Sequence, residues 1–241
     1  MKNKPPPTLT IQYSFRMQDG KEDTFPVELE TASMQIIPKQ PDVPPPWSAL
    51  DFHQCPNCPL AVENHPSCPA ALNMIVLVER FNKLLSYDKT LVVVITEERV
   101  IYSHTTMQRG VCSLMGLLMA CSGCPLTAFF KPMARFHLPF AGTEETIWRA
   151  TSSFLLAQYF RKMEGHPSDF KFNGLSKIYS EIQKVNMAFA QRLRTACEQD
   201  SMINAMILLD MFAKSLPPAI EESLEEIRHL FQPYLSHTSP H

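Results

Sequence analysis

The stretch "LTIQYSFRMQDGKEDTFPVELE", residues 9–30, decides the fold class of the N-terminal part of the chain. Apolar and polar residues alternate along it, first over residues 11–17 and again over 25–29. A period of two is typical of a β-strand with one buried face. Between the two runs, the pair Asp19-Gly20 accepts the positive φ of a tight turn. The stretch therefore predicts a β-hairpin, and residues 34–37 are expected to add a short third strand.

After Pro69 the apolar residues take up helical spacing. A helix is predicted to start at this proline, which is favoured at the first helical position. A second hairpin is predicted over residues 91–105, where two β-branched runs flank a pair of glutamates. The pattern is then helical almost to the end of the chain, and two separate last helices are expected at 201–215 and 218–233.

These patterns predict an α+β fold, in which a small N-terminal β-hairpin region and a Cys-Pro loop pack on a predominantly α-helical body. The proline-rich block at 38–47 is expected to form an extended linker into that loop. The predicted segments are a disordered leader at 1–7, the β-hairpin and Cys-Pro metal loop at 8–69, the helical body with one β-hairpin (91–105) at 70–235, and a tail at 236–241.

Composition excludes several classes of function. The 241 residues are 45% hydrophobic and 19% charged, with a net charge of −2, which is ordinary for a soluble globular protein. A nucleic-acid partner is not expected, because phosphate binding needs a concentrated basic surface. The densest basic pair, Arg192 and Arg194, lies on a predicted helix and is expected to be solvated. No apolar run approaches the roughly 18 residues of a membrane span.

The N-terminus has no apolar core of a secretory signal, so a cytoplasmic location is expected. In a reducing compartment, clustered thiols are more often metal ligands or redox groups than structural disulfides.

The seven cysteines divide into two groups according to their context. Four precede proline, and with 21 prolines in 241 residues that would arise by chance roughly two times in a thousand. The other three lie within helical patterns, where a cysteine is usually a small buried apolar residue. The four Cys-Pro cysteines are Cys55, Cys58, Cys68 and Cys124.

Four thiols are the ligand set of a closed tetrahedral metal site. Cys55 and Cys58 are separated by two residues, a spacing that places two sulfurs on one tight turn. Cys68 follows after nine more residues, and Cys124 ends a predicted helix at "SGCP". For the fourth ligand Cys124 is preferred, with His65 as the alternative. Such a site would pin the β-rich part onto the helical body.

The identity of the metal stays open at this point. Zinc is preferred for four thiolates in a cytosolic protein. An iron–sulfur cluster is the second candidate, since Cys-Pro also occurs at cluster ligands, and haem bound through a Cys-Pro thiolate is a third. Unliganded thiols, or a disulfide such as Cys55–Cys58 or Cys121–Cys124, are the non-metal alternatives.

The apolar stretch at 124–146 contains a candidate pocket formed by Lys131, Arg135 and His137. Arg135 could hold an anion, and His137 could act as an acid, a base or a further metal ligand. The competing interpretation is a long irregular loop anchored on the core by its phenylalanines.

Three hypotheses for function follow. The first is a non-catalytic, metal-binding interaction or regulatory module. The second is a metal-dependent or iron–sulfur oxidoreductase that uses the same centre with Arg135 and His137. The third is a thiol redox sensor based on a disulfide between Cys121 and Cys124. A protein partner or a homo-oligomer is compatible with each, and the apolar stripe over 175–193 is either a dimer face or core.

The chain also resembles an uncharacterised bacterial protein family that is known as a domain of unknown function. The resemblance rests on "PPPW…CPNCPL…CP" (44–69), on "SGCP" and "PMARFHLPFAGTEET" (122–146), and on "LLAQYF" (155–160). It covers nearly the whole chain and implies a bacterial, cytosolic, metal-type cysteine protein. It implies no reaction.

Overall fold

The computed structural model describes residues 7–37 and 41–236. Apart from Pro7 and Ser236, the predicted leader and tail lie outside the described residues, as does part of the linker at 38–47. The strands are β1 (Thr8–Met17), β2 (Glu22–Glu30), β3 (Lys89–Ile95) and β4 (Val100–Thr106). The α-helices are α1 (Pro69–Leu72), α2 (Ile75–Phe81), α3 (Met107–Cys121), α4 (Lys131–Arg135), α5 (Thr143–Met163), α6 (Asn173–Ala196), α7 (Ser201–Ile227) and α8 (Gln232–Leu235). Short 3₁₀ segments lie at Pro46–Ser48, Pro125–Phe130 and Arg228–Phe231.

The α+β fold class is confirmed, and both predicted hairpins are present. The strands form one antiparallel sheet in the order β2-β1-β3-β4. The two hairpins join along β1 and β3, where Tyr13 pairs with Val94 and Phe15 with Val92. The third strand predicted at 34–37 is only an isolated bridge to the end of β2.

One face of the sheet is buried and forms part of the hydrophobic core of the first half of the chain. Alternate residues of β1 point into it and are buried, as the period of two predicts. The ring of Phe15 lies 5.8 Å from that of Phe25 and 4.8 Å from that of Phe81. Helix α3 approaches this face at Gly110, where an added Cβ would lie 2.8 Å from atoms of Phe15 and Val92. A glycine is therefore needed at this crossing.

Two helix predictions are corrected in detail. The helix expected from Pro69 is divided into α1 and α2. The two helices expected at 201–215 and 218–233 are one helix, α7, that runs through Pro217 and Pro218. Leu216 and Ile220 are both buried, so apolar packing on either side of the prolines offsets the lost backbone hydrogen bonds.

The chain divides into two compact units. The first comprises Met1–Phe140 and Glu181–Met211 and contains the sheet, the Cys-Pro loop and α3. The second comprises Ala141–Ser180 and Phe212–His241. In the second unit, an added Cβ at Gly174 would lie 3.1 Å from the ring of Phe154, so the start of α6 is packed closely on α5.

The apolar stripe over residues 175–193 is core and not an exposed face. Its buried members are Leu175, Ile182, Val185, Phe189 and Leu193.

Among the described residues, one helical segment has the length and composition of a membrane span. It is Ser201–Ile220, with a mean hydropathy of 1.2. The bent pair Met107–Cys121 and Pro125–Arg135 passes the same criterion only if it is counted as one span broken by 110°. Core helices also meet this criterion, so neither is a clear membrane span.

Candidate functional site

The turn at residues 55–58 carries the first two Cys-Pro thiols. The amide of Cys58 donates to the carbonyl of Cys55 at 3.0 Å, which closes the turn. Between them, the side chain of Asn57 donates to the backbone carbonyl of Glu181 at 3.1 Å and to its carboxylate at 2.8 Å. Both thiols are half-buried. The turn is thus anchored directly on helix α6.

Cys68 closes the loop that this turn belongs to. Its amide donates to the carbonyl of Ser48 at 2.8 Å, and the amide of Leu50 donates to the carbonyl of Pro66 at 3.0 Å. These two bonds tie the end of the loop to its beginning. Cys68 is also the N-cap residue of α1, since Pro69 takes the first helical position. Its side chain is therefore held at the point where the loop meets the helix.

Cys124 reaches the same region from the end of α3. Gly123 has φ = +88°, a left-handed conformation that glycine adopts without strain and that reverses the chain after the helix. The side chain of Asn73 donates to the carbonyl of Pro69 at 2.9 Å and to that of Ser122 at 3.3 Å. A Cβ added at Gly123 would lie 4.0 Å from the Cβ of Pro69. The segments that carry Cys68 and Cys124 are therefore adjacent.

The four Cys-Pro thiols, which we call the thiol cluster, lie close enough together that the other three act on the ionisation of Cys55. The pKa of the Cys55 thiol is raised to about 12, mainly by burial. The next contributions come from the other members, in the order Cys68, Cys124 and Cys58. Burial also raises the pKa of Cys124, with a smaller contribution from Cys68. All seven cysteines are free, and with a pKa of about 12 Cys55 is a neutral thiol at neutral pH.

The thiol cluster does not have closed metal geometry. Within residues 7–37 and 41–236, no three His, Cys, Asp or Glu side chains are arranged to hold a metal ion. Zinc–sulfur bonds of about 2.3 Å require four sulfurs to converge on one point. The cluster is thus a set of thiols from three segments without the convergence that a bound metal requires.

Arg192 is a positively charged residue beside the Cys-Pro loop, and its burial differs from the prediction. The pair Arg192 and Arg194 was expected to be solvated. Arg194 is exposed, but Arg192 is only 2% exposed. Its guanidinium donates from Nη1 to the carbonyls of Trp47 and Ala49, the latter at 2.7 Å, and from Nη2 to that of Leu50 at 3.4 Å. It therefore supports the segment that leads into the Cys-Pro loop.

The charge of Arg192 acts on the thiol cluster. Burial lowers the pKa of its guanidinium, and the opposing contributions come, in order, from Cys68, Cys55, Asp51 and Cys58. In return, Arg192 lowers the pKa of Cys55. This effect is smaller than that of burial, so the pKa of Cys55 stays raised.

His65, the alternative ligand, is exposed on the same loop. Its amide donates to the carbonyl of Ala61 at 2.9 Å, which makes it part of a local turn. Cys124, the preferred fourth ligand, is in electrostatic contact with Cys55.

The candidate pocket residues lie in other contacts. His137 Nε2 is 2.5 Å from the hydroxyl of Tyr13, which also lies 2.8 Å from the hydroxyl of Ser113. Arg135 is 4.0 Å from the carboxylate of Glu98. Arg135 and His137 line a cavity of about 50 Å³, far below the roughly 300 Å³ of small ligand pockets.

Lys131 is not among the residues lining that cavity. It donates to the carbonyl of Ser33 at 2.7 Å. The segment around it, expected to be an irregular loop, contains a 3₁₀ helix and α4. Pro125 and Pro132 both lie in first turns, where proline favours a helix.

Sequence reasoning missed three participants: Arg192, Asn57 and Tyr13. The alternation along β1 indicated that Tyr13 is buried, but no local pattern identified its hydroxyl as the partner of a residue 124 positions away. Nothing near Arg192 in the sequence distinguishes it from a surface arginine.

The comparison with known families agrees with the resemblance drawn from the motifs. The model of a domain of unknown function (DUF6901) matches residues 11–232. The chain belongs to this family. No curated protein and no solved structure matches it. Membership thus extends from β1 to α8 and carries no activity with it.

Proposed function

We propose that the thiol cluster binds one metal centre, with zinc preferred over an iron–sulfur cluster and haem as a further alternative. The observation that carries the proposal is the proximity of four Cys-Pro thiols, drawn from three separate segments, to one another and to one buried arginine. Cysteines with unrelated roles would not be expected to share both a following proline and a location in the fold. The proposed ligands are Cys55, Cys58, Cys68 and Cys124.

The electrostatics support a metal and not free thiolates. With a pKa of about 12 for Cys55, the thiol does not ionise at neutral pH unless a strong cation replaces its proton. A metal ion does this directly, and its affinity is therefore expected to rise with pH. Four thiolates around a divalent ion carry a net charge of −2. Arg192, 2% exposed, would offset part of that charge where solvent cannot.

The local geometry supports a structural role for such a centre. Cys55 and Cys58 belong to a turn held on α6 through Asn57, Cys68 caps α1, and Cys124 follows α3. A single ion would cross-link these elements within the first unit. A structural zinc site acts in this way, because the free energy of metal binding contributes directly to the free energy of folding. The protein is proposed to act in the cytoplasm as a non-catalytic interaction or regulatory module.

The geometry gives less support to an oxidoreductase that uses the cluster with Arg135 and His137. His137 contacts Tyr13, which contacts Ser113, and Ser113 precedes Cys121 by eight residues in the same helix. At 1.5 Å per residue these two positions are about 12 Å apart along α3. His137 is thus bound beside the middle of α3, whereas Cys124 follows its end.

A redox sensor based on Cys121 and Cys124 meets a different difficulty. Burial raises the pKa of Cys121 to about 12, and the thiolate is the reactive form of cysteine. Cys121 is therefore a poor nucleophile.

The proposal is tested by metal analysis of protein purified without oxygen, beside the variant C55S/C58S. The matched control is C197S, because Cys197 is also half-buried but is not among the thiols that act on Cys55. About one zinc per chain is expected in the wild type and in C197S, and none in C55S/C58S. Iron with sulfide and a visible absorption band would identify a cluster instead. Metal-free wild-type protein that also fails to take up added zinc or cobalt would overturn the proposal.

A further inference from the structure

Helix α5 is apolar on two opposite faces. One face is buried, and its members include Ile147, Ala150 and Phe154. The opposite face exposes six large apolar side chains, which we call the outer stripe. These are Trp148, Leu155, Leu156, Tyr159, Phe160 and Met163, and their exposed fractions range from 37% to 69%. With 3.6 residues per turn, all six fall within an arc of roughly 140° centred opposite the buried face.

An outer stripe of this kind requires a partner. The solvent face of a helix is normally polar, whereas on α5 six large apolar side chains share this face with Arg149 and Ser152. The stripe also continues beyond α5, because the ring of Trp148 lies 5.9 Å from that of Phe231. Tyr234, close in sequence to Phe231, is 82% exposed. A concentration of exposed large apolar side chains on one helix face is typical of an interaction site.

We infer that the outer stripe is the interface between two copies of this chain, paired through antiparallel α5 helices about a twofold axis. The charges on α5 favour this occupant. The first turn carries Glu144 and Glu145, and the last turn carries Arg161 and Lys162. Glu144 and Lys162 are 18 residues apart, which is five full turns, so both lie at the same edge of the stripe. In an antiparallel pair, Glu144 of each copy therefore lies over Lys162 of the other. A single helix surface is then complementary to itself, as a twofold interface requires.

The area of the outer stripe fits a dimer. Large apolar side chains present about 200 Å² each, and the six members expose about half of theirs. Each copy would therefore bury roughly 600 Å² from the stripe alone, and more with Phe231 and its neighbours. A standard interface takes about 800 Å² from each partner. The pairing is thus expected to be specific but of moderate affinity.

The test is the association state of the full chain, measured by sedimentation equilibrium over a wide range of concentration. The variant L156E/F160E places charges in the middle of the stripe and is expected to weaken the dimer at least about tenfold. The matched control is Y102E, because Tyr102 is 69% exposed but lies on β4. It is expected to dimerise like the wild type. Far-UV circular dichroism and the melting temperature establish that each variant is folded.

A charge exchange then tests the antiparallel arrangement. E144K and K162E are each expected to weaken dimerisation about twofold to thirtyfold, because the twofold axis makes each substitution break two exposed ion pairs at once. The double variant E144K/K162E restores the pair with its signs exchanged and is expected to recover most of the wild-type affinity.

Several results would overturn the inference. One is a wild-type chain that stays monomeric at every concentration. Binding of that monomer to lipid vesicles would show that the outer stripe contacts a membrane surface instead of a second copy, and would equally overturn the inference. Another is a dimer that L156E/F160E leaves intact, and a third is an additive loss in E144K/K162E. None of these outcomes depends on metal binding, so the dimer and the metal centre are tested independently.

Discussion

Replacing Arg192 by methionine is expected to destabilise the protein strongly, even though the side chains have similar apolar stems. The guanidinium donates to three backbone carbonyls, those of Trp47, Ala49 and Leu50. Methionine donates to none of them, so these acceptors lose a charged partner within a largely buried region.

The size of the effect follows from the burial of each acceptor. Leu50 is 1% exposed, and an unpaired buried acceptor costs about 1 to 3 kcal/mol. Trp47 and Ala49 are partly exposed, so water replaces part of what they lose, and each is expected to cost about 1 kcal/mol. Release of the buried charge offsets some of this total. A net loss of about 3 kcal/mol is expected, which lowers the folding equilibrium constant more than a hundredfold.

Urea unfolding followed by circular dichroism measures this loss, with R194M as the control because Arg194 is exposed. R194M is expected to change the free energy of unfolding by less than about 0.5 kcal/mol. R192K keeps the charge without the planar fork and should fall between the two. The amides of Leu50 and Cys68, bonded across the base of the loop, should exchange faster in R192M. Equal unfolding midpoints for R192M and R194M would contradict this role of Arg192.

Three further changes test separate parts of the fold. G110A should destabilise by about 1 to 2 kcal/mol in urea unfolding, since its Cβ would lie 2.8 Å from the ring of Phe15. Y13F should cost about 1 to 3 kcal/mol, because it removes the hydroxyl that binds His137. Burial raises the pKa of Cys112 from 9.0 to about 12, so between these values the native state binds more protons and stability falls as pH rises. C112A should remove up to about 1.4 kcal/mol per pH unit of that slope.

Each of these has a control within the chain. G116A meets only an ordinary contact of 3.5 Å with Leu209 and should be neutral or stabilising by up to about 1 kcal/mol, the helix propensity difference. Equal losses in G110A and G116A would contradict the close crossing. Y102F removes an exposed hydroxyl and should have no effect; a Y13F variant that is equally stable would contradict the buried hydrogen bond. For Cys112, parallel pH curves for the wild type and C112A would be the contrary result.

The local sequence was sufficient for the strands and for most helices. The alternation from Ile11 to Met17 and the turn at Asp19-Gly20 determine β1 and its hairpin, because side-chain direction in a strand depends only on position. The Cys-Pro context similarly separated four cysteines from Cys112, Cys121 and Cys197, two of which are buried within α3. These features depend on neighbours along the chain, and a single sequence contains those neighbours.

Other features of the fold depend on partners that lie far apart in the chain. The pairing of β1 with β3 joins the hairpins across some 75 residues, and nothing local specifies that pairing. Pro217 and Pro218 predicted a break in α7, but burial on both sides kept the helix whole.

Arg192 shows this dependence on distant residues most clearly. Composition alone indicated a solvated charge, whereas the fold brings three carbonyls and the thiol cluster to it. Whether a charge is buried depends on the groups that surround it in space, and for Arg192 those groups come from more than 140 residues earlier in the chain.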